Sequence, residues 1–227
     1  MPFFVFFYII QVMKIQAFSI AGKKAQNEDY FGVYQKGRKL IMPSSWIHTR
    51  HAKDHVGLFV ADGVSTSNAP LRAARFTCQQ LADWQGQDIQ KTLQAMDQTI
   101  KKRMNGSMCT VSGGYIEKKR LTYFNVGDSP IFLFRDHTLM LLSKPHILEG
   151  YPHVITSCMG YLTAYYAHSL SIQARDQLVF GSDGVLESLS VDELAHALDQ
   201  NTSIEQIFQM ALHAGSQDNM TLIRVQI

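Results

Sequence analysis

Cysteine is scarce, and its spacing excludes two classes of protein. The 227-residue chain holds only Cys78, Cys109 and Cys158, an odd number with no C-x-x-C pair. That argues against a disulfide scaffold and against a thiolate zinc site, and leaves reduced, mostly buried thiols as the expectation. Charge is sparse as well. Charged residues make up 18% of the chain, the formal net charge is +2, and no block of Lys or Arg supplies a footprint for nucleic acid. Repeats, low-complexity tracts and Pro/Gly/Ser linkers are missing, which points to one domain. Hydrophobic stretches long enough to span a bilayer are missing too. The apolar start, Met1 to Met13, falls short of the roughly 20 residues a membrane helix needs. It also lacks the basic flank and small-residue cleavage site of a signal peptide. It reads either as an additional buried strand or as sequence upstream of a start at Met13.

What is present suits a packed core, with 46% hydrophobic and 11% aromatic residues. Short β-like runs cover Lys14 to Ile20, Tyr30 to Tyr34 and Val56 to Ala61. Two helical patterns follow. One runs from Ala69 to Trp84 with Leu71, Ala74, Leu81 and Trp84 at helical spacing, and the other from Asp88 to Met104 through Ile89, Leu93, Met96 and Ile100. Strands return at Thr110 to Ile116, Leu121 to Val126, Ile131 to Phe134, Leu139 to Leu142, Tyr166 to Ile172 and Gln177 to Phe180. Ser190 with Glu193 and Ser203 with Gln206 read as capping boxes that start two more helices, the second stopping at Gly215. A last strand alternates Ile223, Val225 and Ile227 with Arg224 and Gln226. Strands with helices grouped in pairs imply a layered α+β domain over residues 14–227, not a doubly wound sheet.

The informative feature is where the carboxylates fall. The apolar run at Val56 ends on Asp62-Gly63, the run at Leu121 on Gly127-Asp128-Ser129, and the run at Gln177 on Asp183-Gly184. Glu28-Asp29 and Asp218-Asn219 stand immediately before strands. A single Asp-Gly is an ordinary turn. So many at strand ends of one small domain would repel each other unless cations neutralised them, and an all-oxygen donor set favours Mg²⁺ or Mn²⁺ over zinc.

Read in order, Lys24-Ala-Gln-Asn-Glu28-Asp29, Val60-Ala-Asp62-Gly63, Gly127-Asp128-Ser129, Ser182-Asp183-Gly184 and Asp218-Asn219-Met-Thr221 resemble a small bacterial-type member of the metal-dependent serine/threonine protein phosphatases of type 2C, the PPM family. The resemblance runs from about Lys14 to the C-terminus. It implies a four-layer α/β/β/α fold, a central antiparallel β-sandwich flanked by helix pairs with metals at one sandwich edge. It implies hydrolysis of phosphoserine and phosphothreonine in proteins by a water activated between two metal ions. In that pattern Asp62 bridges two Mn²⁺ or Mg²⁺ ions, Gly63 offers its carbonyl, Glu28 completes one site, and Asp183 with Asp218 holds the other. Asp128, with Asp183 and Glu187, would form a weaker third site. Asp29 would steady water from behind the ligands, and Asn219 would orient Asp218. The implied partner is a phosphorylated protein in the cytoplasm, with no nucleic acid and no membrane. The sequence leaves the oligomeric state open.

Departures from the family pattern support an alternative. Lys24, beside Lys23, stands where an arginine usually grips phosphate, keeping the charge and losing the bidentate fork. Val64-Ser65-Thr66 replaces the usual Gly-Gly, so no histidine is expected next to the metal site, and a metal-bound water would have to protonate the leaving group. Pro130 follows Ser129 where arginine is common. The usual Asp-His pair is Pro145-His146, which makes His146 structural. The flap between His146 and Val154 is short, implying a more open cleft. The lost arginine and the short flap favour a catalytically weak pseudophosphatase that binds phosphoproteins, while the complete carboxylate set favours an enzyme. His48, His51 and His55 would share a helix face but read as a solvated polar loop. Gly113-Gly114 lacks the lysine and hydroxyl of a phosphate loop.

Overall fold

The computed structural model describes residues 12–36, 38–41 and 47–227. Strands β1 (Met13–Ile20), β2 (Tyr30–Gln35), β3 (Arg38–Ile41), β4 (His48–Ala52) and β5 (Val56–Ala61) lead into helices α1 (Pro70–Gln80) and α2 (Gln90–Arg103). Strands β6 (Val111–Glu117), β7 (Arg120–Val126), β8 (Ile131–Arg135) and β9 (Thr138–Leu141) follow, then the hairpin β10 (Ile147–Leu148) and β11 (Tyr151–Ile155). The chain continues through β12 (Tyr166–Ser171), β13 (Gln177–Gly181), a one-turn helix α3 (Asp183–Leu186), α4 (Val191–Asp199), α5 (Ile204–His213) and β14 (Met220–Gln226).

Two six-stranded antiparallel sheets result, one ordered β4-β1-β14-β13-β8-β9 and the other β12-β7-β6-β5-β2-β3. Their inner faces meet through Ile15, Phe31, Leu58, Phe180 and Ile223, all fully buried. The outer face of the second sheet is covered by α1 and α2, which bury Ala74, Leu93 and Ile100. The expected helix to Trp84 ends at Gln80, and Leu81 in a 3-10 turn (Leu81–Asp83) and Trp84 in extended backbone after it are buried with them. The outer face of the first is covered by α4 and α5, which bury Leu194, Leu198, Ile207 and Phe208. Three apolar cores thus separate four layers, as the resemblance implied.

Local sequence explains most boundaries. Pro70 opens α1, where its missing N–H costs nothing. Both capping boxes form: the Ser190 hydroxyl accepts from the Glu193 backbone and the Ser203 hydroxyl from that of Gln206, with the return bonds made. Gly215 ends α5 at φ +103°, a backbone that side-chain-bearing residues rarely adopt. Leu71 does not join the buried stripe of α1 and is 41% exposed. The three thiols are buried and unpaired.

Strands at the sheet margins depart from the sequence reading. His48 to Ala52 is strand β4, not loop, because β1 offers it a free edge; His48 pairs with Ala17 and His51 with Lys14. Alternation along a strand places His48 and His51 on opposite faces, so no three-histidine cluster forms with His55. The short flap is also ordered, as the β10–β11 hairpin. The apolar Met1 to Met13 segment lies outside the described residues except for Val12 and Met13, and Met13 is the first residue of β1.

Candidate metal centre

The sandwich brings the carboxylates together because antiparallel strands alternate direction. Strands β5, β7 and β13 end at the edge where β2 and β14 begin, so residues far apart in sequence become neighbours. The Ser182 amide donates to the Thr221 carbonyl at 3.0 Å, seating Asp183 against Asp218-Asn219. The Thr110 amide donates to the Asp62 carbonyl at 2.8 Å. A cavity of about 190 Å³ is lined by Asp62, Gly63, Ser65, Asp128, Asp183 and Asp218, with His153 and Ile155 of β11 on its rim.

Asp29 lies behind this cavity, 3% exposed. Its Oδ2 accepts from the Ser182 hydroxyl at 2.8 Å and from the Thr221 hydroxyl at 2.7 Å, while its Oδ1 has no partner. Burial raises its pKa to about 6 against those hydrogen bonds, with the charge of Asp183 adding to the rise. Asp62 is held well above the ordinary carboxylate range, first by burial and then by Asp29 and Asp183. Asp128 is raised to about 6 by burial and by Asp183. Burial leads in each case, and the neighbouring carboxylates add to it.

Glu28 and Asp218 are engaged differently. Lys24 Nζ lies 2.6 Å from Asp218 Oδ1 and donates to the Ser65 hydroxyl at 2.9 Å. That hydroxyl donates onward to Glu28 Oε2 at 2.8 Å. Desolvation pulls the Lys24 pKa down, but the hydrogen bond and charge of Asp218, with Asp62 and Glu28 beyond, raise it overall.

These residues fit a hard divalent cation by donor chemistry. The donors are oxygens, the carboxylates disfavour their own ionisation together, and a buried Asp183 oxygen is unpartnered alongside that of Asp29. Among the described residues no three His, Cys, Asp or Glu side chains already form an ion cage. The hold of Lys24 and Ser65 on Asp218 and Glu28 is consistent with that.

One role implied by the resemblance changes. Asn219 places its side chain against Ala21, Gln26 and Glu28 instead of the Asp218 carboxylate, which is bonded by the Asn219 backbone N–H at 2.6 Å. Glu187 lies 3.4 Å from His153 Nδ1. A histidine therefore does stand at the cavity, contributed by the hairpin and not by the segment after Asp62. This corrects the expected absence of a histidine beside the metal site; no motif marks His153, which sits in the run Tyr151–Ile155 with no acidic dipeptide beside it. His146 is half-buried, its Nδ1 3.2 Å from both the amide and the carbonyl of Gly127, a structural position as expected. Gly113-Gly114 lies within β6, packed by Phe59, Phe124 and Phe180.

The family model for Stage II sporulation protein E (SpoIIE) matches residues 53–227. No curated protein sequence matches the chain. Among solved structures, the S. agalactiae serine/threonine phosphatase is similar at 19% identity and a TM-score of 0.78, over 95% of this chain and 99% of that one. The Mycobacterium tuberculosis phosphatase PstP/Ppp is similar at 20% identity and a TM-score of 0.74, over 96% and 99%. The PstP catalytic domain in complex with two manganese ions is similar at 21% identity and a TM-score of 0.73, over 95% and 99%. At these identities the likeness is one of fold.

Proposed function

We propose, for a chain that belongs to the SpoIIE family within the type 2C (PPM) phosphatases, that it hydrolyses phosphoserine and phosphothreonine in proteins with the help of two Mn²⁺ or Mg²⁺ ions. The observation that carries this reading is the convergence of Asp62, Asp128, Asp183 and Asp218 on one cavity at the sandwich edge, with unpartnered buried carboxylate oxygens beside it. The manganese of the PstP structure lends it support as a property of that protein.

Asp62, Asp183, Asp218, Glu28 and the Gly63 carbonyl would hold the ions, with Asp128 as a further ligand near Glu187. Bound there, the ions would supply positive charge for the phosphoryl oxygens and a water acidified towards neutrality. The chain's own residues have distinct tasks. Ser182 and Thr221 fix Asp29 behind Asp62, so the ligand wall keeps its shape. Lys24, held on Asp218 and Ser65, would offer the phosphate a point charge in place of a guanidinium fork once released. The β10–β11 hairpin borders the cavity and carries His153 to its rim, within reach of Glu187. No cysteine lines the cavity, in keeping with a reaction that forms no phosphocysteine.

The substrate would be a phosphorylated protein, the domain would comprise residues 14–227, and the setting would be cytoplasmic. No helix among the described residues is long and apolar enough to cross a membrane. The lysine on Asp218 favours a second reading, a weakly catalytic module that binds phosphoproteins. Hydrolysis of a phosphothreonine peptide with Mn²⁺, with EDTA and in the Asp183→Asn variant separates the two. The enzyme reading expects metal-dependent turnover that falls by about a hundredfold or more in the variant. Bound Mn²⁺ without turnover would establish the binding module instead.

A further inference from the structure

We propose that Lys24 is a tethered counter-cation of the metal centre: its ammonium holds Asp218 and, through Ser65, Glu28, and must be displaced before a divalent ion takes both carboxylates. This rests on the reading of Asp218 and Glu28 as metal ligands and adds an exchange step to it.

The geometry is specific to this chain. Lys24 Nζ, Ser65 Oγ and Glu28 Oε2 form an unbroken relay of 2.9 Å and 2.8 Å, and the same Nζ lies 2.6 Å from Asp218 Oδ1. One monovalent charge therefore engages two carboxylates that arrive from opposite ends of the chain. Ser65 makes the relay, and it stands where the family pattern has glycine, which has no hydroxyl to pass the contact on. Lysine rather than arginine makes it exchangeable, because a flexible stem with a single ammonium leaves without breaking a bidentate fork. Solvent reaches the pair, with side-chain exposures of 31% for Lys24 and 39% for Asp218. An ion pair this exposed is weak, so a divalent ion, which brings twice the charge to the same oxygens, can replace it.

Displacement has a consequence for substrate. The freed ammonium is tethered a few ångströms from the cavity, where an incoming phosphate is the nearest anion left for it. Metal loading and phosphate capture are then coupled, and by linkage each tightens the other by the same factor. In a chain with an ordinary glycine at position 65 and no lysine on Asp218, metal would enter without this exchange.

Calorimetric titration of the full chain with Mn²⁺, alone and with inorganic phosphate present, tests the exchange. The wild type is compared with Lys24→Met, Lys24→Gln and Ser65→Ala, whose folding is checked by thermal unfolding in EDTA. Without phosphate, both Lys24 variants should bind Mn²⁺ about three- to fivefold more tightly than the wild type, the factor an exposed ion pair is worth. Ser65→Ala should fall between. Phosphate should tighten Mn²⁺ binding in the wild type and lose that effect in the Lys24 variants. Unchanged or weaker Mn²⁺ affinity in both Lys24 variants overturns the exchange and leaves the metal centre standing. Failure of wild type and variants alike to bind Mn²⁺ overturns the metal centre and the exchange together.

Discussion

Asn219 holds Glu28 in place across most of the chain's length: its Oδ1 accepts the Glu28 backbone N–H at 2.8 Å. Its Nδ2 donates to the carbonyls of Ala21 at 2.9 Å and Gln26 at 2.8 Å. A single amide, 2% exposed, therefore fastens the loop before β2 to the start of β14. Asn219→Ala would strand all three backbone groups. The expected cost is about 2–4 kcal/mol of stability in urea denaturation, since unsatisfied buried polar groups are penalised individually. Mn²⁺ affinity should fall with it, because Glu28 loses its anchor.

The metal-free protein should become less stable as pH rises from mildly acidic to neutral. Burial raises Asp29 and Asp128 to about 6, Asp62 lies higher than the ordinary range, and an unfolded aspartate titrates near 4. The folded state thus holds protons that the unfolded state has lost. The stabilisation is complete below about pH 4 and disappears as pH rises through about 6. Urea midpoints in EDTA should correspond to a loss of about 2–3 kcal/mol between pH 4.5 and 7. Asp183→Asn, which removes one repelling charge, should be more stable than the wild type in EDTA at pH 7. Rising stability over that interval in EDTA would contradict the clustering of these anions.

Gly184 is required for a close approach, not for an unusual backbone angle. A Cβ there would lie 2.0 Å from the Asn219 carbonyl oxygen and 3.2 Å from Asp218 Cβ. Gly184→Ala must push the start of β14 away from α3, separating Asp218 from Asp183. Overpacking of this kind costs about 1–3 kcal/mol. Mn²⁺ binding by calorimetry should weaken at least about tenfold, far more than the stability loss would cause in a domain that remains folded.

Elements whose pattern is carried by their own residues are legible in the sequence alone. The buried run Val56–Ala61, the stripe Ile89, Leu93, Met96 and Ile100, and the two capping boxes all formed where their spacing places them. Margins were not legible. Strand β3 is only four residues long, and β4 and the β10–β11 hairpin are short and largely exposed, so no alternation of apolar residues announces them. Strands β3 and β4 exist because the edges of β2 and β1 supply their hydrogen bonds, whereas β10 and β11, among the described residues, pair only with each other. Among site residues, the acidic dipeptides were legible because each ends or begins an apolar strand. His153 was not, having no such neighbour in sequence.

By itself, then, the sequence determined which segments become core strands and amphipathic helices, and that several carboxylates sit at strand ends. Those properties are local: they depend on side-chain polarity at a period of two or about three and a half residues. Only the tertiary structure decided which strand ends share one edge, that the Ser182 and Thr221 hydroxyls are what hold Asp29, and that the Asn219 side chain serves Glu28 and not Asp218. It alone set the Lys24 ammonium on Asp218 with Ser65 passing the contact to Glu28. Each of these depends on the pairing of antiparallel strands remote in sequence. That pairing is selected by burial of the whole sandwich and is written in no single segment.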